Sequence, residues 1–538
     1  MKILYISLLI IFTFPEAFSQ DFQWASSHNN WWRTSGSLFR MDTDNEGNVY
    51  NVGFSYGTIN SNKVSGYLSK FDGNGNLKWE YELYYGVYGR AVKTDNEGNC
   101  IAGFTFIDSV FFLEQTFYAQ TFDYPKKVNT LLIKLDKNGN LLWHFIIPGG
   151  GIESVLVNEQ NDVFVGGSIG YFATFPDTTL QSIKNSSCFL LKLDKNGNYK
   201  WTTTGILNRF YNYFNNSFTT VGIFTDSITY NNTIFYPNQN SERGILLMGA
   251  DLEYNVKWAK QLKWESTWLS FVILNKTTDN KGNIFLTGFH KTDVSYNDST
   301  VITYQAKPQY QFNYADAFLI KTDRLGNFLW SRTGHSPQPI LNEGITADTS
   351  GNVFITGVFK SEITFENTTI YGGGMFIAKY DKDGNLIWLT QPEGGGSAGT
   401  AMASDNKGNV YFGGKYEGEV SFGQHTLSGS GMFVGKYGFE EKEPVSVKEA
   451  LNNEEGNLFI FPNPSSNQLH IKYTPANKTE NASFHIYNSK GSLVHSQSSS
   501  AKAEHLKTLD VSNLSQGIYF LNVMSGDERV SRKFMINR

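Results

Sequence analysis

The stretch that most constrains this chain is LLIKLDKNGNLLW, residues 131–143. Apolar residues flank the run Asp136-Lys137-Asn138-Gly139-Asn140 on both sides. Asn and Gly tolerate the positive φ of a tight reversal, and Asp bonds its own backbone two residues on. The stretch therefore predicts a hairpin, and the hairpin recurs. YLSKFDGNGNLKW ends at Trp79, FLLKLDKNGNYKW at Trp201, AFLIKTDRLGNFLW at Trp330 and MFIAKYDKDGNLIW at Trp388. A worn copy, LLMGADLEYNVKW, ends at Trp258. Successive tryptophans stand 64, 58, 57, 72 and 58 residues apart. Self-similarity at such a period means a repeat architecture.

A second signature precedes each hairpin: DNEGNVYNVG from Asp44, DNEGNCIAG from Asp95, DNKGNIFLTG from Asp279, DTSGNVFITG from Asp348 and DNKGNVYFGG from Asp405. Weaker versions start at Asn158 and Asn215, which makes seven copies. Each copy reads as four strands. Strand A precedes the Asp-x-x-Gly-Asn turn and strand B follows it. Strand C carries a recurrent Lys and strand D the Trp. The seventh copy has its strand C at 432–437 but no Trp after it. Asp21-Phe22-Gln23-Trp24 supplies the missing piece, with Trp24 lying 55 residues before Trp79. Four-stranded units repeated about an axis are the blades of a β-propeller. The expectation is an all-β chain in which residues 20–440 form a seven-bladed β-propeller closed by the N-terminal strand. Trp24, Trp79, Trp143, Trp201, Trp258, Trp330 and Trp388 then pack between blades.

These copies resemble the bacterial seven-bladed β-propeller repeat family, in which a GNVYVTG-like strand leads to a FVAKYDxNGxxxW-like hairpin. The resemblance covers residues 21–440 and implies an architecture, not a reaction. Blade four departs most, because its A–B turn lacks the Asp-x-x-Gly-Asn pattern and Gly249 replaces the Lys. A charged linker follows at 441–455. Short alternating strands over 456–538 then predict a small β-sandwich. This segment resembles the type A C-terminal sorting domain of the type IX secretion system. The resemblance rests on Pro462-Asn463-Pro464, the turn at 488–491, the run from Leu514 through Gly517 to Tyr519, and Lys533-Phe534. It implies a host of the Bacteroidetes type and the type IX machinery as partner. It also implies a protein that is secreted or held on the outer-membrane surface, usually after the domain is cleaved.

The N-terminus agrees with export. Lys2, an apolar run at 3–14 and Ala17-Phe18-Ser19 read as a signal peptide over 1–19. No apolar run approaches eighteen residues, so no transmembrane segment is expected. A formal net charge of −5 without a basic block argues against nucleic acid as a partner. Cys100 and Cys188 fall on predicted strands and read as buried thiols, with a disulfide between neighbouring repeats as the alternative.

Candidate chemistry is sparse. The Asp-x-Asn-Gly-Asn turns suggest calcium loops until the register is counted. Gly139 is fourth from Asp136 and the twelfth position is Ile147, where an EF-hand needs Gly sixth and Glu twelfth. The nine histidines show no paired ligand spacing, and in a chain read as all-β no Gly-x-Ser-x-Gly run stands on a strand-to-helix elbow and no phosphate loop opens a helix. No catalytic set, metal site or cofactor is therefore expected. His144 reads as a surface residue. Lys70, Lys134, Lys192, Lys321, Lys379 and Lys436 read as residues solvating the rim, with an anion site as the alternative.

The loops carry more contrast. In an up-and-down blade the A–B and C–D turns lie on one face, the B–C and D–A connections on the other. The first set is short and uniform. The second is long at 104–129, 225–242 and 288–316. Variable loops on a rigid scaffold are the usual seat of binding. Their aromatics suit a sugar ring or a protein partner. Trp31, Trp32, Tyr211, Tyr213, Trp264 and Trp268 are the candidate ligand-binding residues. Short segments from Ile107, Pro176, Thr225 and Asn297 in these loops resemble Bacteroidetes O-glycosylation sites. The functional expectation is a non-enzymatic scaffold that binds a glycan or a protein. The alternatives are a propeller enzyme cleaving polysaccharide or peptide, with carboxylates assembled across blades, and a purely structural surface component.

Overall fold

Each repeat is built on two self-contained turns. In the first A–B turn the Asp44 carboxylate accepts the N–H of Glu46 at 3.0 Å and of Asn48 at 2.9 Å. In the C–D turn of the second repeat Asp136 accepts from Asn138 at 2.8 Å and Asn140 at 2.9 Å. Gly139 there takes φ +93°, where a side chain would be strained. The carboxylate that suggested an ion site is thus occupied by the backbone of its own turn.

The computed structural model describes residues 21–438 and 458–537, less 28–34, 57–63, 120–127, 183–186, 206–209, 239–242, 265–269, 305–314, 475–480, 489–492, 501–504 and a few shorter gaps. The expected signal peptide and linker lie outside the described residues.

The strands are antiparallel throughout the first unit. Sheet one comprises Ser35–Thr43, Val49–Tyr56, Val64–Phe71 and Leu77–Leu83. Sheet two comprises Tyr88–Thr94, Cys100–Phe106, Asn129–Leu135 and Leu141–Ile147. Sheet three comprises Gly150–Val157, Val163–Ile169, Ser187–Leu193 and Tyr199–Gly205. Sheet four starts with Phe210–Phe214, Ser217–Phe224, Gly244–Asp251 and Val256–Trp264, and sheet five with Phe271–Thr278, Ile284–His290, Asp316–Thr322 and Phe328–His335. Sheet six comprises Leu341–Ala347, Val353–Phe359, Gly374–Tyr380 and Leu386–Thr390. Sheet seven takes Ser397–Ser404, Val410–Phe422 and His425–Gly438, and its fourth strand is Asp21–Ser27. Asp21 pairs with Gly438 and Ser27 with Phe433. The N-terminal strand completes the last sheet, as the split seventh copy predicts.

Every first strand carries a bulge at the same place, between Leu38 and Arg40 in sheet one and between Gly399 and Ala401 in sheet seven. A bulge sharpens twist. Buried side chains cluster between successive sheets. Tyr50 and Leu68 meet Phe104 and Leu131 between sheets one and two. Leu156 and Phe164 meet Phe218 between three and four. Trp24 and Val434 meet Met41 and Tyr67 between seven and one. Cys100 and Cys188 are buried thiols that form no disulfide, and burial pushes the Cys100 thiol pKa up.

The long B–C connections fold into hairpins that the sequence pattern does not reveal. Ser109–Phe112 pairs with Gln115–Tyr118, Phe172–Thr174 with Thr179–Gln181 and Ile228–Tyr230 with Thr233–Phe235. Two more extend the preceding sheet. Val294–Tyr296 joins the outer strand of sheet four and Glu362–Phe365 that of sheet five, giving six strands each. An uncovered outer strand invites pairing with another chain, and these hairpins cover it. Their tips use Asn231-Asn232 and Asn297-Asp298 at positive φ.

Residues 441–538 form a second compact unit. Leu458–Phe461, Gln468–Tyr473 and His505–Asp510 make one sheet, and Leu493–Ser499, Ala482–Asn488, Gly517–Ser525 and Glu528–Ile536 another. Alternate residues of the two, Leu469, Ile471 and Tyr473 with Phe484, Ile486, Leu521 and Val523, share one core. Among the described residues no helix is long and apolar enough to cross a membrane.

Candidate functional site

The face of the A–B and C–D turns is a chain of latches. Lys134 Nζ at 3.2 Å and Trp143 Nε1 at 3.1 Å both donate to the carbonyl of Lys195, in the C–D turn of the next sheet. Lys70 and Trp79 meet the Lys137 carbonyl at 2.9 and 3.3 Å, and Lys321 and Trp330 the Lys382 carbonyl at 2.7 and 3.2 Å. Lys436 and Trp24, on sheet seven, meet the Gly73 carbonyl of sheet one at 3.4 and 3.0 Å. The C–D turn glycines Gly75, Gly139, Gly197, Gly326 and Gly384 lie against the tryptophan of the preceding sheet. A Cβ at Gly197, which has φ +82°, would stand 2.7 Å from the Trp143 ring.

Four of the six recurrent lysines are therefore not the solvated rim the sequence suggests. Lys70, Lys134, Lys321 and Lys436 are buried. A bulge follows Lys134, and bulges re-aim side chains. The Lys70 ammonium lies 4.9 Å from the Tyr50 ring centroid. Lys134 also pairs with Asp95 at 2.7 Å, with both side chains almost fully buried. Burial pushes the Asp95 carboxyl up, but hydrogen bonds from Lys134 and Asn99 outweigh it and hold the pKa below the usual range. Sheet four has Gly249 at the lysine position, and a Cβ there would collide with the Trp258 indole. A cavity of 260 Å³ remains beside Gly249, Trp258, Arg324 and Leu325.

The opposite face is uneven. Between sheets two and three it holds a cleft of 630 Å³. Gly86, Gly149, Gly151 and Gly170 line it with backbone, leaving room for Tyr88, Arg90, Glu153 and Tyr171. Tyr171 is 59% exposed and Val128, which also lines the cleft, is 43% exposed. Arg90 is held in place. Its guanidinium carbon lies 5.2 Å from the Tyr88 ring centroid, and its Nε donates to Thr105 Oγ1 at 3.4 Å. Tyr88 packs edge-on against Phe54 at 5.2 Å.

A second cavity, of 350 Å³, lies where the first strands converge and is lined by Arg40, Asp42, Lys93, Glu153, Lys276 and Thr346 among others. At and beside this cavity polar groups tie neighbouring strands together. Thr94 Oγ1 donates to the Thr43 carbonyl at 2.9 Å, Thr43 Oγ1 to Ser404 at 2.8 Å and Ser404 Oγ to Ala347 at 2.8 Å. Lys93 pairs with Asp42 at 2.6 Å.

One cluster escaped the sequence reading. His335 Nδ1 lies 2.8 Å from the buried carboxylate of Asp316, and its Nε2 lies 3.2 Å from Thr333 Oγ1. Buried His290 pairs across the sheet with Asp316, and burial lowers its pKa although a bond to the Thr292 carbonyl opposes this. Asp316 comes from one strand and Thr333 and His335 from the next, so no linear motif marks them.

Of the six aromatic candidates, Trp264 alone has a described side chain. It is 5% exposed, packs against Phe271 at 5.6 Å and borders an apolar cavity of 290 Å³ between sheets four and five. Tyr211 and Tyr213 lie on Phe210–Phe214 and are described as backbone alone. Trp31, Trp32 and Trp268 lie outside the described residues. His144 is exposed and rests against Phe117 at 4.8 Å.

In the second unit the motif residues meet. Asn463, between Pro462 and Pro464, accepts the Met535 N–H at 2.9 Å and reaches the Lys533 carbonyl at 3.5 Å. Ser465 donates to the Met535 carbonyl at 2.8 Å and accepts from Asn537 at 3.0 Å. Gly517 opens the strand that pairs with the last one. Tyr519 stacks on Phe534 at 5.7 Å and donates to the Ser515 carbonyl at 2.8 Å. Residues 459–537 match the family described as the secretion system C-terminal sorting domain. That segment is a type IX sorting domain. The sorting domain makes this an exported protein, secreted or on the outer-membrane surface, with the secretion machinery as its partner.

The chain is also 26% identical over 161 residues to an uncharacterised WD repeat-containing protein of Acanthamoeba polyphaga mimivirus, covering 27% of this chain and 11% of that protein. A solved protein of unknown function from Bacteroides caccae is 8% identical, with TM-score 0.29, over 56% of this chain and 82% of its own. The BSP domain of a biofilm associated protein is 9% identical with TM-score 0.13, over 96% and 98%. Scores this low carry no argument about fold.

Proposed function

We propose that the exported chain is a seven-bladed β-propeller, closed by its N-terminal strand and followed by a β-sandwich sorting domain. We propose further that it is a non-enzymatic scaffold that binds a glycan or a protein. Closure is supported by the pairing of Asp21–Ser27 with His425–Gly438 and by the latch of Trp24 and Lys436 on Gly73. The observation that carries the binding reading is the cleft between sheets two and three, which sits on the face of the variable connections and is bordered by exposed Tyr171. The test is to present the whole exported protein to immobilised glycans and surface proteins, with hydrolase assays on polysaccharide and peptide in parallel. Saturable, selective binding without turnover supports the scaffold. Turnover of any substrate overturns its non-enzymatic part.

A second reading, hydrolysis, draws on Thr333, His335 and Asp316. A hydroxyl, an imidazole and a carboxylate in hydrogen-bonded sequence can act as nucleophile, base and orienting group. Turnover abolished by Thr333→Ala or His335→Ala favours this reading, and turnover indifferent to both removes it.

A further inference from the structure

Resting on the scaffold reading, we infer that the cleft between sheets two and three is a carbohydrate subsite for a neutral sugar. Size comes first. Small-molecule sites run from about 300 to 1,000 Å³, and the cleft holds 630 Å³. A stable protein partner needs about 800 Å² of surface on each side, which a pocket of this kind does not offer by itself. The scale fits one or a few sugar rings.

Chemistry narrows it further. Arg90 and Glu153 line the same cleft. A guanidinium only donates hydrogen bonds and a carboxylate only accepts them, whereas a hydroxyl does both. A ligand rich in hydroxyls therefore satisfies both groups at once. An apolar ligand would desolvate them without replacing their bonds. An acidic sugar would gain Arg90 and meet repulsion at Glu153. The stacking of Arg90 on Tyr88 and its bond to Thr105 fix the guanidinium before any ligand arrives, which lowers the ordering cost of binding.

Tyr171 supplies the remaining part. It is 59% exposed, and its neighbour Phe172 is 39% exposed. A tyrosine ring offers a flat apolar face with a polar tip at small entropic cost, which suits the C–H face of a pyranose. Gly86 and Gly170, where an added Cβ would meet nothing closer than 3.8 Å, leave the space beside it clear of side chains. Tyr171 would provide the platform, and Arg90 and Glu153 would read the hydroxyls.

The test uses the whole exported protein and a panel of neutral oligosaccharides (glucan, mannan and galactan fragments) with oligogalacturonate as the acidic control. Affinities are measured by calorimetry for the natural protein and for Tyr171→Ala, Glu153→Gln and Val128→Trp. Tyr171 and Val128 are exposed, so unchanged melting temperatures will show that the first and third variants fold. The expected result is saturable binding of a neutral oligosaccharide, weakened at least tenfold by Tyr171→Ala and blocked by Val128→Trp. Glu153→Gln should weaken neutral sugars and improve the acidic one. Neutral-sugar binding unmoved by all three variants overturns this subsite while leaving the scaffold reading intact. A preference for oligogalacturonate overturns the neutral assignment. Binding to no sugar, with a captured surface protein instead, overturns the carbohydrate reading and keeps the scaffold. Binding to neither overturns both.

Discussion

The two faces of the repeat unit spend the same kinds of residue differently. On the turn face Lys, Trp and Asp recur at fixed positions: the Lys and Trp donors are taken up by the neighbouring sheet, and the Asp carboxylates by their own turn. Trp143 and Lys134 share one carbonyl, and Asp95 neutralises the ammonium. On the opposite face an aromatic, a cation and an acid again stand together, as Tyr171, Arg90 and Glu153, but around open space. Regular repetition marks residues that hold the sheets together. Departure from repetition marks the place where side chains border a cleft instead of a neighbouring sheet.

Substitutions can break this contrast, and the largest effects belong on the turn face. Trp24→Ala removes a buried indole and its bond to Gly73, and should cost about 3–5 kcal/mol in chemical denaturation. A loss below about 1 kcal/mol would mean that the seam between sheets seven and one is unimportant. Lys134→Met leaves the Asp95 carboxylate buried without its partner, and should cost about 3 kcal/mol or more. Adding Asp95→Asn should recover much of that loss. If the double variant is no better than the single one, the pair is not the cause.

Gly197→Ala places a Cβ against Trp143 at a positive φ, and should cost about 1–3 kcal/mol, read as a lowered melting temperature. An equal loss from Gly86→Ala, whose added Cβ would meet nothing within 4 Å, would assign the effect to backbone strain alone. Acid should act on the same face. Burial raises the Asp72 carboxyl, but bonds from Lys78 and Asn76 outweigh it and bring its pKa to about 2. An unfolded Asp titrates near 3.9, so this contribution is complete above about pH 4 and is lost as pH falls through 2. Melting temperatures measured from pH 5 to 2 at fixed salt should fall in that window, and a flat profile would remove the turn carboxylates from the stability of the fold. The smallest effect belongs to the open face, where Tyr171→Ala should change stability by no more than about 0.5 kcal/mol.

The repeats were legible because a hairpin turn has strict local chemistry. Asp136, Asn138 and Gly139 announce it without reference to the rest of the fold. The split seventh copy was legible for the same reason, since Trp24 carries the spacing of its sisters. The sorting residues were readable as a motif, though nothing in the sequence says that Asn463 clips the last strand. The lysines were misread because burial depends on which sheet stands beside them, and the sequence shows only the strand they sit on. Two of the extra hairpins were missed because a strand of each, such as Val294–Tyr296, borrows its partner from the previous repeat. The same holds for the cleft. Arg90, Glu153 and Tyr171 come from two sheets, and no spacing rule links them.

The pairing of Asp21–Ser27 with His425–Gly438 also sets an order of events. The first strand of the fold to be synthesised finds its partner only after some four hundred residues have followed it. Until then Asp21–Ser27 has no strand to pair with, and a contact so distant in sequence forms late. The last sheet therefore cannot be completed until Gly438 has been made.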